Sequence, residues 1–531
     1  MRTAAMTALV LACLARAGVV AQIESARAQT PPRVDVGGPP LALSLDEAVQ
    51  LALEHNADVI VTRLQRDSAR EDIRAAEGLF DPRLQPTLGY EQATNPVTSA
   101  IGGAANGRLD QKNVSGGLVL NGRTPWLGGR FTVDAAATRL ETSNTFQRLN
   151  PQFPSSAGVQ YVQPLWRGLR VDAERRQVQV ARRNVDLSEA QVTRVVMDQL
   201  LQVELAYWDL AYARRNVEIQ VDAVTQARRQ VESNERQAAQ GTLAPIDVVE
   251  AATQVAVLEQ AVATAQQGLS EAEIRVKLLV ASDPAAPLWD RPLETGPLAA
   301  ESRPAADREV VIAAALARRP ELAEADATLE RNAVDVRFFT DQARPQVDLV
   351  GRYGVSGLAG TIVQQGSDPI GGGSVLPPFF AGGLGQSLAN VGAWRFPVAT
   401  LQVQVDLPFR NRTAEANLAR SAIEGQQLAR RRQQLEQTVA AEVRAALQAV
   451  ESSRQRLAAA GSAARNARAQ YDSEQRRFES GLGTLFLVLE RQTALVTAQA
   501  RELRASADLN QAFARLVRAA GDTLERHGVR R

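Results

Sequence analysis

From Asp172 to Leu279 the chain places Val196, Val203, Leu210, Val217, Val224, Val231 and Ala238 at steps of seven. Gly241-Thr242-Leu243-Ala244-Pro245 comes next. Val248, Ala251, Val255, Leu258, Val262, Ala265, Leu269, Ala272, Val276 and Leu279 then follow in an unbroken three-four alternation. Such spacing keeps one apolar seam against a partner helix. Gln, Arg and Glu dominate the flanks, so the other faces are solvated. No Pro or Gly interrupts Asp172 to Gln240. The spacing predicts a very long helix, a tight turn at Gly241 to Pro245 and a long helix back. At 1.5 Å per residue the first arm is roughly 100 Å long. A compact globule has no use for such a rod, so something is to be spanned.

At one constant offset the pattern returns. Val203, Leu210, Val217, Val224, Val231 and Ala238 become Val443, Val450, Leu457, Ala464, Tyr471 and Phe478, and Gly241 becomes Gly481. Val248, Val255, Leu269 and Val276 become Val488, Leu495, Leu509 and Leu516. Arg491 and Glu502 interrupt the second seam where Ala251 and Val262 stand in the first. The duplication reaches upstream, and each half reads helix, strand, loop, strand, long helix, turn, long helix. An internal repeat of this size changes the fold expected. Length alone suggests several globular domains; the repeat argues for one elongated, pseudo-symmetric protomer. The expected order is a signal segment at 1–28, a first repeat at 29–281, a Pro-rich connector at 282–307 with Trp289 as its apolar anchor, a second repeat at 308–524 and a basic tail at 525–531.

Met1 to Ala28 has a short positive start at Arg2, an apolar stretch from Ala4 to Leu14 and a small-x-small site at Ala26-Arg27-Ala28. It reads as a secretory signal, with a frayed N-terminal helix as the competing reading. Val10-Leu11-Ala12-Cys13 weakly resembles a lipoprotein cleavage box, and Cys13 is the one cysteine. Ser44, with Glu47 three residues on, predicts a capped helix running to about Leu79. Asp81-Pro82 ends it.

Four strands follow from alternation. Leu401, Val403, Val405, Leu407 and Phe409 alternate with Thr400, Gln402, Gln404 and Asp406, and Val347, Leu349, Tyr353 and Val355 do so less cleanly. The other two lie near Leu84 to Glu91 and Val159 to Leu165. Alternation over about ten residues suits an amphipathic wall with lipid on one side and water on the other; an ordinary half-buried sheet is the alternative. An extra hairpin, Val114 to Leu120 and Arg130 to Thr138, either enters that wall or folds over it. Ser356 to Arg395 reads as a Gly- and Pro-rich loop. Pro82, Pro164, Pro345 and Pro408 each mark a change between helix and strand. No run of eighteen apolar residues exists, which excludes a transmembrane helix.

Taken together, Gln163-Pro164-Leu165-Trp166-Arg167-Gly168, Tyr207-Trp208-Asp209-Leu210, Gly241-Thr242-Leu243-Ala244-Pro245-Ile246-Asp247-Val248 and Gly481-Leu482-Gly483-Thr484, set in a duplicated helix-strand-strand-helix-turn-helix frame, resemble the TolC-type outer-membrane efflux proteins. The resemblance covers roughly Leu43 to Leu524. It implies an α+β membrane protein in which a long coiled-coil helical barrel continues into an outer-membrane β-barrel shared by a homotrimer. Each protomer would give four strands, or six with the extra hairpin. The family implies that the tips Gly241–Pro245 and Gly481–Thr484 dock a periplasmic adaptor protein linked to an inner-membrane pump. It also implies carboxylates at the entrance. Asp247 and Glu490 match family positions, and Glu250 is the repeat mate of Glu490. Gly483 and Phe478 replace the family's pinning Arg and Tyr, and Leu487 replaces a second acidic residue. The closed state is therefore held differently here.

The net charge of +1 provides no basic field for nucleic acid. The two histidines, His55 and His527, stand apart and suit the surface. Cys/His metal spacing and a nucleotide-binding loop are both missing, so neither cofactor nor enzymatic activity is expected. The expected function is the outer-membrane exit duct of a tripartite exporter of small toxic compounds. A type I protein-secretion duct and a soluble periplasmic coiled-coil scaffold are the alternatives.

Overall fold

The structure, a computed structural model, describes residues 38–98, 103–104, 107–281, 283–299, 307–363 and 376–529. The expected signal segment with Cys13, part of the connector, and residues 364–375 of the expected Ser356 to Arg395 loop lie outside the described residues. In chain order the elements are β1 (Leu41–Leu43), α1 (Leu45–His55), α2 (Ala57–Glu77), β2 (Arg83–Pro96), β3 (Arg108–Arg123), β4 (Arg130–Thr142), β5 (Leu149–Pro164), α3 (Ala173–Ala239), α4 (Pro245–Val280), β6 (Leu293–Thr295), α5 (Arg308–Arg318), α6 (Pro320–Gln342), β7 (Gln346–Ile362), α7 (Leu384–Gly392), β8 (Phe396–Asp406), α8 (Arg412–Glu479) and α9 (Leu485–Ala520). They form two compact units. One takes the residues up to Arg63, Val192–Pro320 and Glu436 onward; the other takes Leu64–Gln191 and Glu321–Leu435. Each unit draws on both repeats.

In the first unit the seven-step seam is the core. Val196, Val203 and Leu210 of α3 pack with Leu269, Ala272 and Val276 of α4, and Ala48, Val49 and Ala52 of α1 close over them. Ala223, Val224 and Ala227 meet Leu258 and Val262 nearer the turn. Val450 of α8 meets Leu509, Ala512 and Phe513 of α9. The upstream helix is two helices rather than one. Ser44 and Glu47 form a reciprocal capping box at the start of α1. Asn56 then breaks the run: its Oδ1 accepts from Asp58 N and Val59 N at 3.0 and 3.3 Å, and its Nδ2 donates to Leu279 O at 3.1 Å. An Asn that caps the next helix competes with continuation of its own. Arg319 breaks the second repeat likewise, because Pro320 disfavours a helical conformation in the residue before it.

Two further expectations change. The connector contributes β6, which pairs in parallel with β1. Among its described residues the deepest anchor is Leu293, 1% exposed, rather than Trp289. The His527 side chain is buried rather than exposed, with its Nε2 2.6 Å from Glu204 Oε1. Tyr207-Trp208-Asp209 is a structural knot. Tyr207 Oη accepts from Gly296 N at 3.0 Å, and burial holds its pKa above the usual tyrosine value. Asp209 accepts from Arg504 at 2.9 Å and Gln511 at 2.8 Å.

The second unit is built on one antiparallel sheet of order β2-β3-β4-β5-β7-β8. The extra hairpin therefore enters the sheet as β3 and β4, so the protomer supplies six strands. Cross-strand partners share a face. Leu84, Leu120, Val133, Val159, Tyr353 and Ala399 form one row, and Pro86, Leu118, Ala135, Ala157, Val355 and Pro397 form the next on the same face. On the other face, the row beside the Leu84 row is Arg83, Asn121, Thr132, Gln160, Arg352 and Thr400, and the row between the two apolar ones is the mixed Gln85, Val119, Asp134, Gly158, Gly354 and Val398. Arg352 reaches Asp134 across this face at 3.4 Å. Both end strands are open. β2 and β8 are exposed along almost their whole lengths, and Leu88 is 92% exposed.

All four prolines sit at the sheet's joints. Pro82 precedes β2, Pro164 ends β5, Pro345 precedes β7 and Pro408 follows β8. Fixing φ there suits an abrupt change of backbone. The Gln163–Gly168 motif ties its joint together: Gln163 Nε2 donates to Leu127 O at 2.8 Å, and Gly168 N donates to Asp341 Oδ2 at 2.6 Å.

Candidate channel entrance

The two helical turns of the first unit are built alike. Gly241 has φ +75°; its N–H donates to Ala238 O at 3.0 Å, and Thr242 N–H donates to Gln237 O at 3.0 Å. Gly481 has φ +76°; its N–H donates to Phe478 O at 2.9 Å, and Leu482 N–H donates to Arg477 O at 2.8 Å. This paired closure uses up the last helical carbonyls and requires a left-handed residue, which glycine accepts without strain. Ala244 and Thr484 precede α4 and α9 as N-caps without side-chain cap bonds, and Pro245 occupies the first helical turn, where a missing N–H costs little. Leu243 is half-buried. Gly483 fills the corresponding place in the second turn, where a Cβ would lie 3.0 Å from both Glu474 Oε1 and Phe478 N. At Gly483 the constraint is thus space rather than φ.

Beyond the turns, α4 and α9 run together and enclose an open cavity of about 700 Å³. Its walls are repeat mates: Val249 with Leu489, Glu250 with Glu490, and Thr253 with Thr493. Gln254 Nε2 donates to Thr493 Oγ1 at 3.0 Å across the gap. Both glutamates are exposed. Asp247, in the first turn of α4, is half-buried and is not part of this lining. Sequence reasoning missed Phe486 and Arg501, which also line the cavity. It missed the apolar surface of the turns as well, where Ile246, Leu482 and Phe486 are each more than 60% exposed. The available signal was that Ile246 and Phe486 are large apolar residues lying off the seam at corresponding places. Two carboxylates and one guanidinium around an open mouth can sort charge. Among the described residues no cluster of His, Cys, Asp and Glu suits a metal ion, and no described helix is long and apolar enough to cross a membrane.

Comparison with known proteins bears on this arrangement. The family described as "Outer membrane efflux protein" matches residues 128–282 and 311–522. No curated protein matches the chain. Among solved structures, the outer-membrane channel OprN has a TM-score of 0.63 at 16% identity, covering 90% of each chain. CusC has 0.63 at 15% identity, covering 90% of this chain and 92% of its own. VceC from Vibrio cholerae has 0.62 at 15% identity, covering 90% and 96%. At such identities the likeness is one of fold.

Proposed function

The chain belongs to the outer membrane efflux protein family, and on that premise we propose that it is the exit duct of a tripartite exporter, conducting small toxic compounds passively to the cell exterior. Three copies join β8 of one to β2 of the next, so that the open edges close into a barrel. The apolar rows face outer-membrane lipid, and the row carrying Arg83, Gln160 and Arg352 faces water. A closed sheet leaves no backbone group unpaired in hydrocarbon. The turns at Gly241–Pro245 and Gly481–Thr484, with Ile246, Leu482 and Phe486, dock a periplasmic adaptor, which links the duct to an inner-membrane pump. Glu250 and Glu490 from each copy ring the mouth, with Asp247 beside them, and a ring of carboxylates in a narrow passage favours cations.

The observation that carries this reading is the register itself, which sets the apolar rows Leu84 to Ala399 and Pro86 to Pro397 on one face across six consecutive strands, and the polar row Arg83 to Thr400 on the other. The experiment is a strain lacking the chain, tested for susceptibility to a panel of small toxic compounds with and without the gene restored. Increased susceptibility, reversed by the restored gene, is expected. Unchanged susceptibility with loss of a secreted protein would replace this reading with protein secretion.

A further inference from the structure

Helix α7 is built inside out. Its buried residues are polar: Ser387 is 0% and Asn390 1% exposed. Ser387 Oγ lies 2.6 Å from Ser155 Oγ on β5, and Asn390 Nδ2 donates to Leu358 O at 2.9 Å and Phe379 O at 2.8 Å. Its outward face is Leu384, Gly385, Leu388, Ala389 and Gly392, all exposed, and no charged residue occurs from Ala381 to Trp394. A surface helix in water shows the opposite arrangement, with apolar residues inward and polar residues outward.

The helix sits on the apolar side of the sheet. Ser155 and Gly357 are cross-strand partners, in the same alternation as Val159 and Tyr353. The seat is fitted: a Cβ on Gly357 would lie 2.3 Å from Ser387 O and 2.8 Å from Val391 Cγ2. Just past the helix, Trp394 stacks on Tyr353 at 5.2 Å between ring centroids, and both rings are about half exposed. The outward face of α7 is therefore continuous with the apolar rows of the sheet.

We propose that α7 is a lipid-embedded buttress: a short helix lying on the outside of the barrel wall, with Leu384 and Leu388 covered by lipid acyl chains. In hydrocarbon, polar side chains must find partners inside the protein, and Ser387 and Asn390 do. Acyl chains are the occupant that suits an outward face with neither charge nor hydrogen-bonding side chain and that already covers the surface the helix continues. This rests on the sheet being a membrane wall.

The test is spin labelling of the full chain in liposomes, with Cys13→Ser and either Leu388→Cys on α7 or Leu118→Cys on the uncovered part of the same sheet face. Ala389→Cys is a second reporter on α7 should Leu388→Cys not assemble. Power saturation compares access to oxygen, which partitions into lipid, with access to a water-soluble nickel chelate. The proposal expects both positions to favour oxygen severalfold. A label at 118 in lipid with one at 388 open to the nickel chelate overturns the buttress and leaves the wall intact. A label at 388 closed to both reagents places a neighbouring chain there and also overturns it. Nickel access at both positions overturns the wall and the buttress together.

Discussion

Replacing Gly481 with Val isolates the contribution of the left-handed turn. A Cβ at Gly481 would meet nothing within 4 Å, and φ is +76°. The Cβ itself therefore meets no obstacle, and the cost counted here is conformational. Left-handed geometry costs an L-residue roughly 1–2 kcal/mol, and a β-branched side chain belongs at the upper end. That corresponds to a factor of about 5–30 in a local opening equilibrium. The affected bonds are those from Gly481 N–H to Phe478 O and from Leu482 N–H to Arg477 O. Hydrogen exchange at the Leu482 amide should accelerate by that factor in Gly481→Val and much less in Gly481→Asn, since Asn visits the left-handed region readily. Gly483 supplies the contrast, because there the obstacle is 3.0 Å contact with Phe478 N and Glu474 Oε1. Asn should not outperform Ala at Gly483. Equal, unaccelerated exchange in Gly481→Val and Gly481→Asn would refute the reasoning.

Other consequences follow from the same geometry. Glu250→Gln combined with Glu490→Gln should reduce cation selectivity in planar bilayers; an unshifted reversal potential would remove both residues from the conducting path. Asp209→Ala strips a partner from both Arg504 and Gln511. Because the ion pair is partly exposed, the expected loss is only about 1 kcal/mol, read as a lower melting temperature of the detergent-solubilised protein. At the start of α1, bonds from the Ser44 N–H and hydroxyl hold the Glu47 carboxyl below its ordinary pKa. A depressed carboxylate stabilises the folded state above its unfolded pKa, and that contribution is lost as pH falls through the lower folded value. Fraying of α1 should therefore grow with acidification in the native chain. In Glu47→Gln it should be nearly independent of pH, as followed by the amide protection factor at Ala48, which removes the intrinsic pH dependence of exchange.

The long helices were legible because a seven-residue rhythm sustained over many turns has no other solution. Val203 and Leu210, 1% and 0% exposed, sit where the rhythm puts them. The outer strands were legible for a similar reason, since Leu401, Val403 and Val405 alternate strictly with Gln402 and Gln404. The place of β3 and β4 was not, because Gly116, Ala135 and Ala137 thin the apolar half of their alternation. Helix α7 was hidden in an expected loop because it is short and set among Gly382, Gly383, Gly385 and Gly392, although Leu384, Leu388 and Val391 keep a helical spacing. Asn56 broke a helix through a side-chain cap that competes with an otherwise continuous pattern. His527 meets Glu204 from the far end of the chain, and no local spacing announces such a pair. At the entrance, the duplication was enough to pair Glu250 with Glu490, whereas Arg501 enters the same cavity from a position with no charged repeat mate.

The central claim is that the open edges β2 and β8 are closed by copies of the same chain in a membrane. Deuterium uptake by the segment Thr400–Asp406 in liposome-reconstituted protein tests it most directly. Closure predicts uptake as slow as that of the interior strand β5. Rapid uptake along β8, with β5 protected, would mean a free edge and would contradict the shared barrel.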